Sequence, residues 1–188
     1  MERLAKYSKE KGEVPTMRVP KIYLETTMFN YYFDEDRDAH ADTVTLFEEC
    51  SAGKFEPYTS TYTVDELESA PNDKREKMLA LISKYNIVVL AADEEAETLA
   101  RKYISEDALP HGSLSDASHI AIATINELDI IVSLNFGHIV RNKTITMTGA
   151  INILLGYSPI KIEAPMGVID SEKTRYHLGR DLRNPSPD

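Results

Sequence analysis

The sequence predicts an α/β protein, a three-layer α/β/α sandwich with a mostly parallel central sheet. Short apolar segments typical of strands occur at residues 22–24, 55–60, 87–90 and 130–133, and residues 159–163 suit an edge strand. Longer segments with helical spacing of apolar residues separate them. Strands that alternate with helices in this way form a parallel sheet with helices on both faces.

The first half of the chain begins this alternation. A short helical turn follows the first strand, and residues 41–50 suit an amphipathic helix that ends at Gly53, because glycine readily takes the left-handed conformation after a helix. Hydroxyls and acids at 61–68 open another helix directly after the second strand. Pro71 precedes a third helix, and the β-branched run at 87–90 has the length expected of a buried parallel strand.

The second half continues the same pattern. Asp93 is placed to cap a helix, and Pro110 and Gly112 mark a loop. Residues 115–124 are small and apolar nearly all round, which indicates a helix buried between the sheet and other helices. A small-residue helix near 148–155 precedes the edge strand.

One folded domain is expected to account for most of the chain. The 188 residues are 42% hydrophobic and 28% charged, as in a globular protein of ordinary size. Residues 1–20 are polar and lack a periodic apolar face, so we predict a flexible leader there. The domain is predicted over 21–168, and 169–188 is predicted to be a polar C-terminal tail.

Composition also bears on location and partners. The single cysteine, Cys50, excludes an intrachain disulfide framework, and no apolar signal segment is visible near the start, so we expect a cytoplasmic protein without a membrane partner. The net charge of −10 weighs against binding nucleic acid through broad phosphate neutralisation. Bound cations can nevertheless supply local positive charge to an acidic site.

Four oxygen-bearing side chains stand at or near the predicted strand ends: Glu25, Glu66, Asp116 and Asn135. In a doubly wound sheet such positions converge on one crevice. A purely structural interpretation is also open, because Glu25 with its threonines could simply start a helix and Asp116 could stabilise a helix N-terminus.

Carboxylates that meet without a cation repel each other, and one of them then takes up a proton. A hard divalent ion removes that conflict. Mg²⁺ or Mn²⁺ fits better than zinc, because the sequence offers no set of cysteine and histidine ligands. Such a site suits phosphodiester hydrolysis.

Five segments carry a family resemblance: IYLETTMFNYYF, TSTYTVDELESAP, SDASHIAIAT, DIIVSLNFGHIVR and GYSPIKIEAPMGVI. In this order they resemble the PIN-domain family, close to the VapC-like toxins of type II toxin–antitoxin pairs. The resemblance implies a PIN-like fold and a Mg²⁺- or Mn²⁺-dependent endoribonuclease with an RNA substrate. It also implies a homodimer and a small antitoxin partner that often binds DNA. Carried over, the catalytic and metal-binding residues are Glu25, Glu66, Asp116 and Asn135.

The sequence departs from the family pattern at two of these positions. The first acid is most often Asp, so the carboxylate of Glu25 lies further from the backbone by about 1.5 Å, one bond length. The fourth position is often Asp, whereas Asn135 is neutral and offers only a carbonyl oxygen. Three carboxylates favour one tightly bound metal over two.

Several neighbours of these residues have two interpretations. Thr26 and Thr27 suit either a turn or the orientation of a water or phosphate oxygen. Asp65 and Glu68 are rivals of Glu66, which is the better motif match. His119 follows Asp116 by one helical turn, and a role as a hydrogen-bonded core residue is expected rather than a role as a ligand.

The leading hypothesis is therefore a metal-dependent ribonuclease that acts as a toxin. The alternative is a catalytically impaired PIN-like binding or interaction module, suggested by Glu25, Asn135 and the net charge. A small-molecule phosphohydrolase ranks last, since the sequence has no nucleotide-binding glycine loop and no nucleophilic Asp motif at the first strand.

Overall fold

The computed structural model describes residues 18–169. Within this range, five strands form one sheet: β1 Lys21–Leu24, β2 Glu56–Ser60, β3 Val88–Leu90, β4 Ile130–Val132 and β5 Lys161–Glu163. The helices of the same range are α1 Thr26–Tyr31, α2 His40–Ser51, α3 Thr61–Glu68, α4 Asn72–Lys84, α5 Glu94–Ser105, α6 Leu114–Ile125 and α7 Asn142–Leu155. A 3-10 turn at Pro165–Gly167 follows β5.

The sheet has the strand order β3-β2-β1-β4-β5, and every neighbouring pair is parallel. The chain builds β1, β2 and β3 in one direction and then crosses to the other side of β1 to add β4 and β5. At the centre, Tyr23 of β1 is in register with Tyr58 of β2 and Ile131 of β4. A reversal of this kind opens a crevice at the carboxyl ends of the strands, here between β1 and β4.

Two apolar cores cover the two faces of the sheet. Tyr23 packs with residues of α5, α6 and α7 in one cluster, whereas Ile22 and Leu24 pack with residues of α1, α2, α3 and α4 in the other. Successive side chains of a strand point to opposite faces, so the two clusters lie on opposite sides of β1. The predicted three-layer α/β/α sandwich is thereby confirmed, with a sheet that is parallel throughout its described strands.

Three local features of the helices agree with the sequence predictions. The Asp93 carboxylate accepts a hydrogen bond from the backbone N–H of Ala96 at 2.8 Å, as predicted for a cap of α5. Gly53 has φ +75° just after α2, which is the left-handed conformation expected there. Helix α6 buries eight consecutive residues, as its small apolar sequence predicts.

Two predictions about individual elements are wrong. The β3 strand is not buried: it forms one edge of the sheet, and Val88 and Val89 are 49% and 41% exposed, because no further strand covers that edge. Helix α7 begins at Asn142 rather than near Thr148. Its first turns are rich in polar residues and therefore lack the apolar periodicity on which the prediction depended.

The predicted leader over 1–20 and tail over 169–188 lie mostly outside the described residues. Of the leader, Pro20 accepts a hydrogen bond from the Glu56 backbone N–H at 2.9 Å, and Arg18 pairs with Asp129 at 2.5 Å. Of the tail, Ile169 is buried in one of the apolar clusters.

Among residues 18–169, none of the helices combines the length and the apolar character needed to cross a membrane.

Candidate metal centre

Glu25 is the first residue after β1, and its carboxylate is buried in the crevice with 4% exposure. Its Oε2 accepts hydrogen bonds from Thr27 Oγ1 at 2.6 Å and from Ser133 Oγ at 2.8 Å. Thr27 Oγ1 in turn accepts from the backbone N–H of Leu134 at 2.8 Å. The longer Glu side chain therefore has a fixed orientation, determined by residues that follow β4.

The two threonines start a helix and also hydrogen-bond the carboxylates, a contact that the sequence did not predict. Thr26 is the first residue of α1, so the segment does start a helix. Its hydroxyl nevertheless donates to Glu66 Oε2, while Thr27 donates to Glu25. Starting the helix places both hydroxyls against the carboxylates.

Glu66 approaches the same point from α3. Its Oε1 accepts from Ser115 Oγ of α6, and its Oε2 lies 3.3 Å from Nε2 of His119. One donor atom each from Glu25, Glu66 and His119 can be chosen so that all three lie within 4.8 Å of one another. We call these three residues the inner cluster. The rival acids Asp65 and Glu68 are exposed on other sides of α3.

Burial and nearby polar or charged groups shift the pKa values of the inner cluster in opposite directions. Burial raises the pKa of Glu25, and the nearby His119 and the hydroxyl hydrogen bonds lower it only in part, so its pKa remains raised. For Glu66 burial also raises the pKa, but His119, Ser115 and Thr26 outweigh burial and bring it to about 2. Burial lowers the pKa of His119, yet Tyr23, Glu66 and Glu25 together raise it well above the usual value.

The other ring nitrogen of His119 faces the sheet. Its Nδ1 lies 2.8 Å from the hydroxyl of Tyr23, and that hydroxyl lies 2.6 Å from Ser60 Oγ at the end of β2. All three side chains are buried. The imidazole is thus oriented by a hydrogen-bonded chain that begins on β1 and β2.

A second group lies nearer the solvent, and we call its members, Asp116, Asn135 and His138, the outer cluster. Asp116 in the first turn of α6 accepts from Asn135 Nδ2 at 2.7 Å through Oδ1. Its Oδ2 lies 2.7 Å from Nδ1 of His138, which also lies 3.0 Å from Ser113 Oγ. The side chain of His138 is 44% exposed.

Two serines connect the inner and outer clusters. Ser133 Oγ donates to Glu25 and accepts from the backbone N–H of Asn135 at 3.0 Å. Ser115, which donates to Glu66, directly precedes Asp116. All four carboxylate and amide side chains predicted from the sequence therefore border one crevice.

The donor set of the inner cluster fits a divalent cation. Two carboxylates and an imidazole supply oxygen and nitrogen ligands with compensating negative charge. Ligands on opposite sides of one ion, at about 2.0–2.2 Å each, are separated by about 4.4 Å, close to the span of this cluster. Glu25 and Glu66 are the predicted residues in it, whereas Asp116 and Asn135 contact each other next to it.

Sequence reasoning missed part of this arrangement. His119 was expected to be a core residue, and it is buried, but its Nε2 also faces the two carboxylates. Its spacing from Asp116 on α6 was the available signal. Ser115, Ser133 and His138 were not assigned to the metal site, because hydroxyls and solvent-facing imidazoles at such positions are common without it.

Several solved structures are similar to this chain. VapC20 from Mycobacterium tuberculosis, a toxin that cleaves the sarcin-ricin loop, is 15% identical with a TM-score of 0.49, over 62% of this chain and 92% of that one. VapBC2 from Rickettsia felis, bound to a promoter DNA fragment, is 12% identical with a TM-score of 0.49, over 77% and 98% of the two chains. DNA-bound VapBC from Salmonella typhimurium is 15% identical with a TM-score of 0.47, over 78% and 98%.

No curated protein sequence matches the chain significantly. Among protein families, the PIN domain matches residues 22–139, a segment that runs from β1 past β4 and includes both clusters. Since this segment is more than half of the 188 residues, the chain belongs to the PIN-domain family.

Proposed function

We propose that the protein is a metal-dependent endoribonuclease, a hydrolase that cleaves RNA phosphodiester bonds. The observation that carries this proposal is the convergence of Glu25 and Glu66 at one crevice of a PIN-family fold, with Asp116 next to them on the helix whose Ser115 donates to Glu66. Three acids from distant parts of the chain repel each other unless a cation or a proton is shared among them. A site that binds a divalent ion accounts for their juxtaposition.

The residues of the two clusters have separate roles in this proposal. Glu25 and Glu66 bind the ion, and Asp116 with Asn135 completes the oxygen-rich side of the crevice. When bound, Mg²⁺ or Mn²⁺ polarises a phosphoryl oxygen and lowers the pKa of water. Thr26 and Ser115 orient the carboxylate of Glu66, so that its position does not depend on the substrate.

Asp116 is oriented from two sides, by the Asn135 amide and the His138 ring. The side chains of Glu66 and Asp116 are 36% and 17% exposed, whereas Glu25 is only 4% exposed. An RNA phosphate that enters the crevice would therefore meet Asp116 and Glu66 before the buried Glu25.

The test is RNA cleavage by the purified protein with Mg²⁺ or Mn²⁺, on a panel of structured and unstructured RNAs. Asp116→Asn is expected to abolish cleavage while the fold persists. Asp107→Asn is the matched control: Asp107 is exposed and has φ +55°, a conformation that asparagine also tolerates, so this variant should cleave normally.

Cleavage that survives EDTA, or that Asp116→Asn leaves unchanged, would contradict the proposal. A protein that binds RNA or a protein partner but cleaves no RNA with either metal would instead fit the alternative, a PIN-like interaction module. The raised pKa of His119 favours that alternative, because a protonated imidazole beside Glu25 and Glu66 would offset part of their charge without a metal.

We further propose that the nuclease is the toxin of a type II toxin–antitoxin pair, a cytoplasmic homodimer inhibited by a small antitoxin. The resemblance of its motifs to VapC-like toxins supports this. Induced expression of the wild type should arrest growth, and Asp116→Asn should not. A small upstream reading frame should encode a protein that copurifies with the toxin and relieves the arrest; growth arrest that no neighbouring gene relieves would contradict the toxin assignment alone.

A further inference from the structure

We propose that His119 is a nitrogen ligand of the metal ion, and that it makes the site prefer a first-row transition-metal ion such as Mn²⁺ over Mg²⁺. This inference deepens the proposed nuclease function and rests on it. It concerns the inner cluster, in which His119 stands beside Glu25 and Glu66.

The position of the imidazole carries the first step. His119 is 1% exposed, and its Nε2 lies 3.3 Å from Glu66 Oε2, within the group of donor atoms that span 4.8 Å. An ion bound by Glu25 and Glu66 would therefore also be next to Nε2. A histidine that served only the apolar core would not direct its ring nitrogen between two acids.

The hydrogen bonds of the ring carry the second step. A neutral imidazole binds a cation through Nε2 only when its proton is on Nδ1. Here Nδ1 can donate to the Tyr23 hydroxyl, which can donate in turn to Ser60 Oγ, 2.6 Å away. Metal-binding histidines almost always have such a partner on the second nitrogen, which fixes the ring and its tautomer. Tyr23 is then a positioning residue.

The chemistry of the ligand carries the third step. Mg²⁺ prefers oxygen ligands throughout, whereas a nitrogen ligand favours the first-row transition ions, with Mn²⁺ at the weak end of their affinity order, so the gain of Mn²⁺ over Mg²⁺ is the smallest that the imidazole should produce. With His119 in place of an oxygen ligand, the inner cluster favours such ions. The ion preference is therefore set inside the fold, by a residue that is almost fully buried.

The decisive experiment uses the wild-type protein loaded with Mn²⁺ and no RNA. Pulsed electron paramagnetic resonance should show modulation from a directly bound imidazole ¹⁴N. His138→Gln is the matched control: His138 is the other histidine next to a proposed metal-site acid among the described residues, and the signal should persist without it. Absence of nitrogen modulation in Mn²⁺-loaded wild type, or its loss in His138→Gln alone, would overturn the assignment.

Calorimetric titration with Mn²⁺ and Mg²⁺ then tests the preference. Tyr23→Phe removes the partner of Nδ1 and is expected to weaken Mn²⁺ binding by about 10–100-fold, as for other residues that orient a metal-bound histidine. His119→Gln presents an amide oxygen near the position of Nε2, so the ratio of Mn²⁺ to Mg²⁺ affinity should fall. An unchanged ratio in a folded His119→Gln variant would contradict the proposal; if the variant does not fold, the wild-type resonance measurement still decides.

These measurements separate the two proposals. Nitrogen coupling in a protein that cleaves no RNA would support the role of His119 and contradict the nuclease function. Metal-dependent RNA cleavage by a protein without nitrogen coupling would do the reverse.

Discussion

The inner and outer clusters have the same ingredients, an acid beside a histidine, in opposite surroundings. In the inner cluster, His119 is 1% exposed and faces two carboxylates. In the outer cluster, His138 is 44% exposed and lies beside Asp116 and Ser113, and Asn135 is an amide rather than a second acid. The same pair of groups is thus desolvated in one place and partly solvated in the other.

This difference in exposure affects how strongly the charged side chains of each cluster interact with one another. Burial and the three-way contact shift the pKa values of Glu25, Glu66 and His119 in different directions, because charges in a medium of low polarity interact strongly. In the outer cluster, water screens the charges. We therefore expect the inner cluster to determine metal binding and pH dependence, and the outer cluster to contact the substrate.

Glu66→Gln should have the largest effect. It removes a proposed ligand and the negative charge beside His119, so RNA cleavage should fall by more than the roughly 10–100-fold typical of a residue outside the ligand shell. Steady-state cleavage rates with Mn²⁺ measure this. Glu68→Gln changes an exposed carboxylate on the same helix to an amide, and this variant should cleave like the wild type. Equal losses in both variants would show that cleavage depends on the integrity of α3 and not on the Glu66 carboxylate.

Ser133→Ala should break the contact between the clusters. The buried hydroxyl serves both Glu25 and the backbone N–H of Asn135, so its removal leaves that N–H without its partner and takes one of two hydroxyl donors from Glu25, and it should lower the free energy of unfolding by about 1–3 kcal/mol. Urea denaturation measures the change. Ser105→Ala, which removes an exposed hydroxyl at the end of α5, should stay within about 0.5 kcal/mol of the wild type.

The pH dependence of stability should report the protonation of the inner cluster. Without divalent ions, folded His119 keeps its proton at pH values where the unfolded chain has lost it, so the free energy of unfolding should fall as the pH rises above 6.5. The raised pKa of Glu25 acts in the same direction above 4.5. Glu66 has the opposite effect in acid, because its pKa is lowered. Its contribution to the free energy of unfolding is lost as the pH falls from 4.5 toward 2.

Thermal unfolding in EDTA across this pH range measures both the loss of stability in acid and the decline above pH 6.5. His119→Asn should remove the part of the decline above pH 6.5 that comes from the His119 proton. A wild-type profile that is flat between pH 6.5 and 8 would contradict the assigned charge of His119.

Asn135→Asp should have the smallest effect on stability. It replaces the amide that donates to Asp116 with a second acid, at a cost of about 0.5–1.5 kcal/mol when no metal is present. Calorimetry should show tighter Mn²⁺ binding, because an added carboxylate strengthens the attraction for a cation. Weaker binding would indicate that the amide itself is needed to orient Asp116.

Local chemistry made much of this fold predictable. The β-branched runs, the cap at Asp93 and the buried character of α6 follow from short-range rules that a single sequence carries. The positions of Glu25 and Asn135 just after β1 and β4 follow from the same alternation, whereas Glu66 lies within α3 and Asp116 on α6, which follows a helix and not a strand. The exposed position of β3 did not follow, because apolar content does not tell a central strand from an edge strand; the order of the strands does.

The sequence by itself determined the α/β class, the family resemblance and the acids that line the crevice. Only the tertiary structure decided how these groups pair. His119 and Glu66 are 53 residues apart, and Ser133 and Glu25 are 108 apart, so no local pattern relates them. Their contacts arise because the chain crosses back over β1 to form β4 and brings α3, α6 and the end of β4 around one carboxylate.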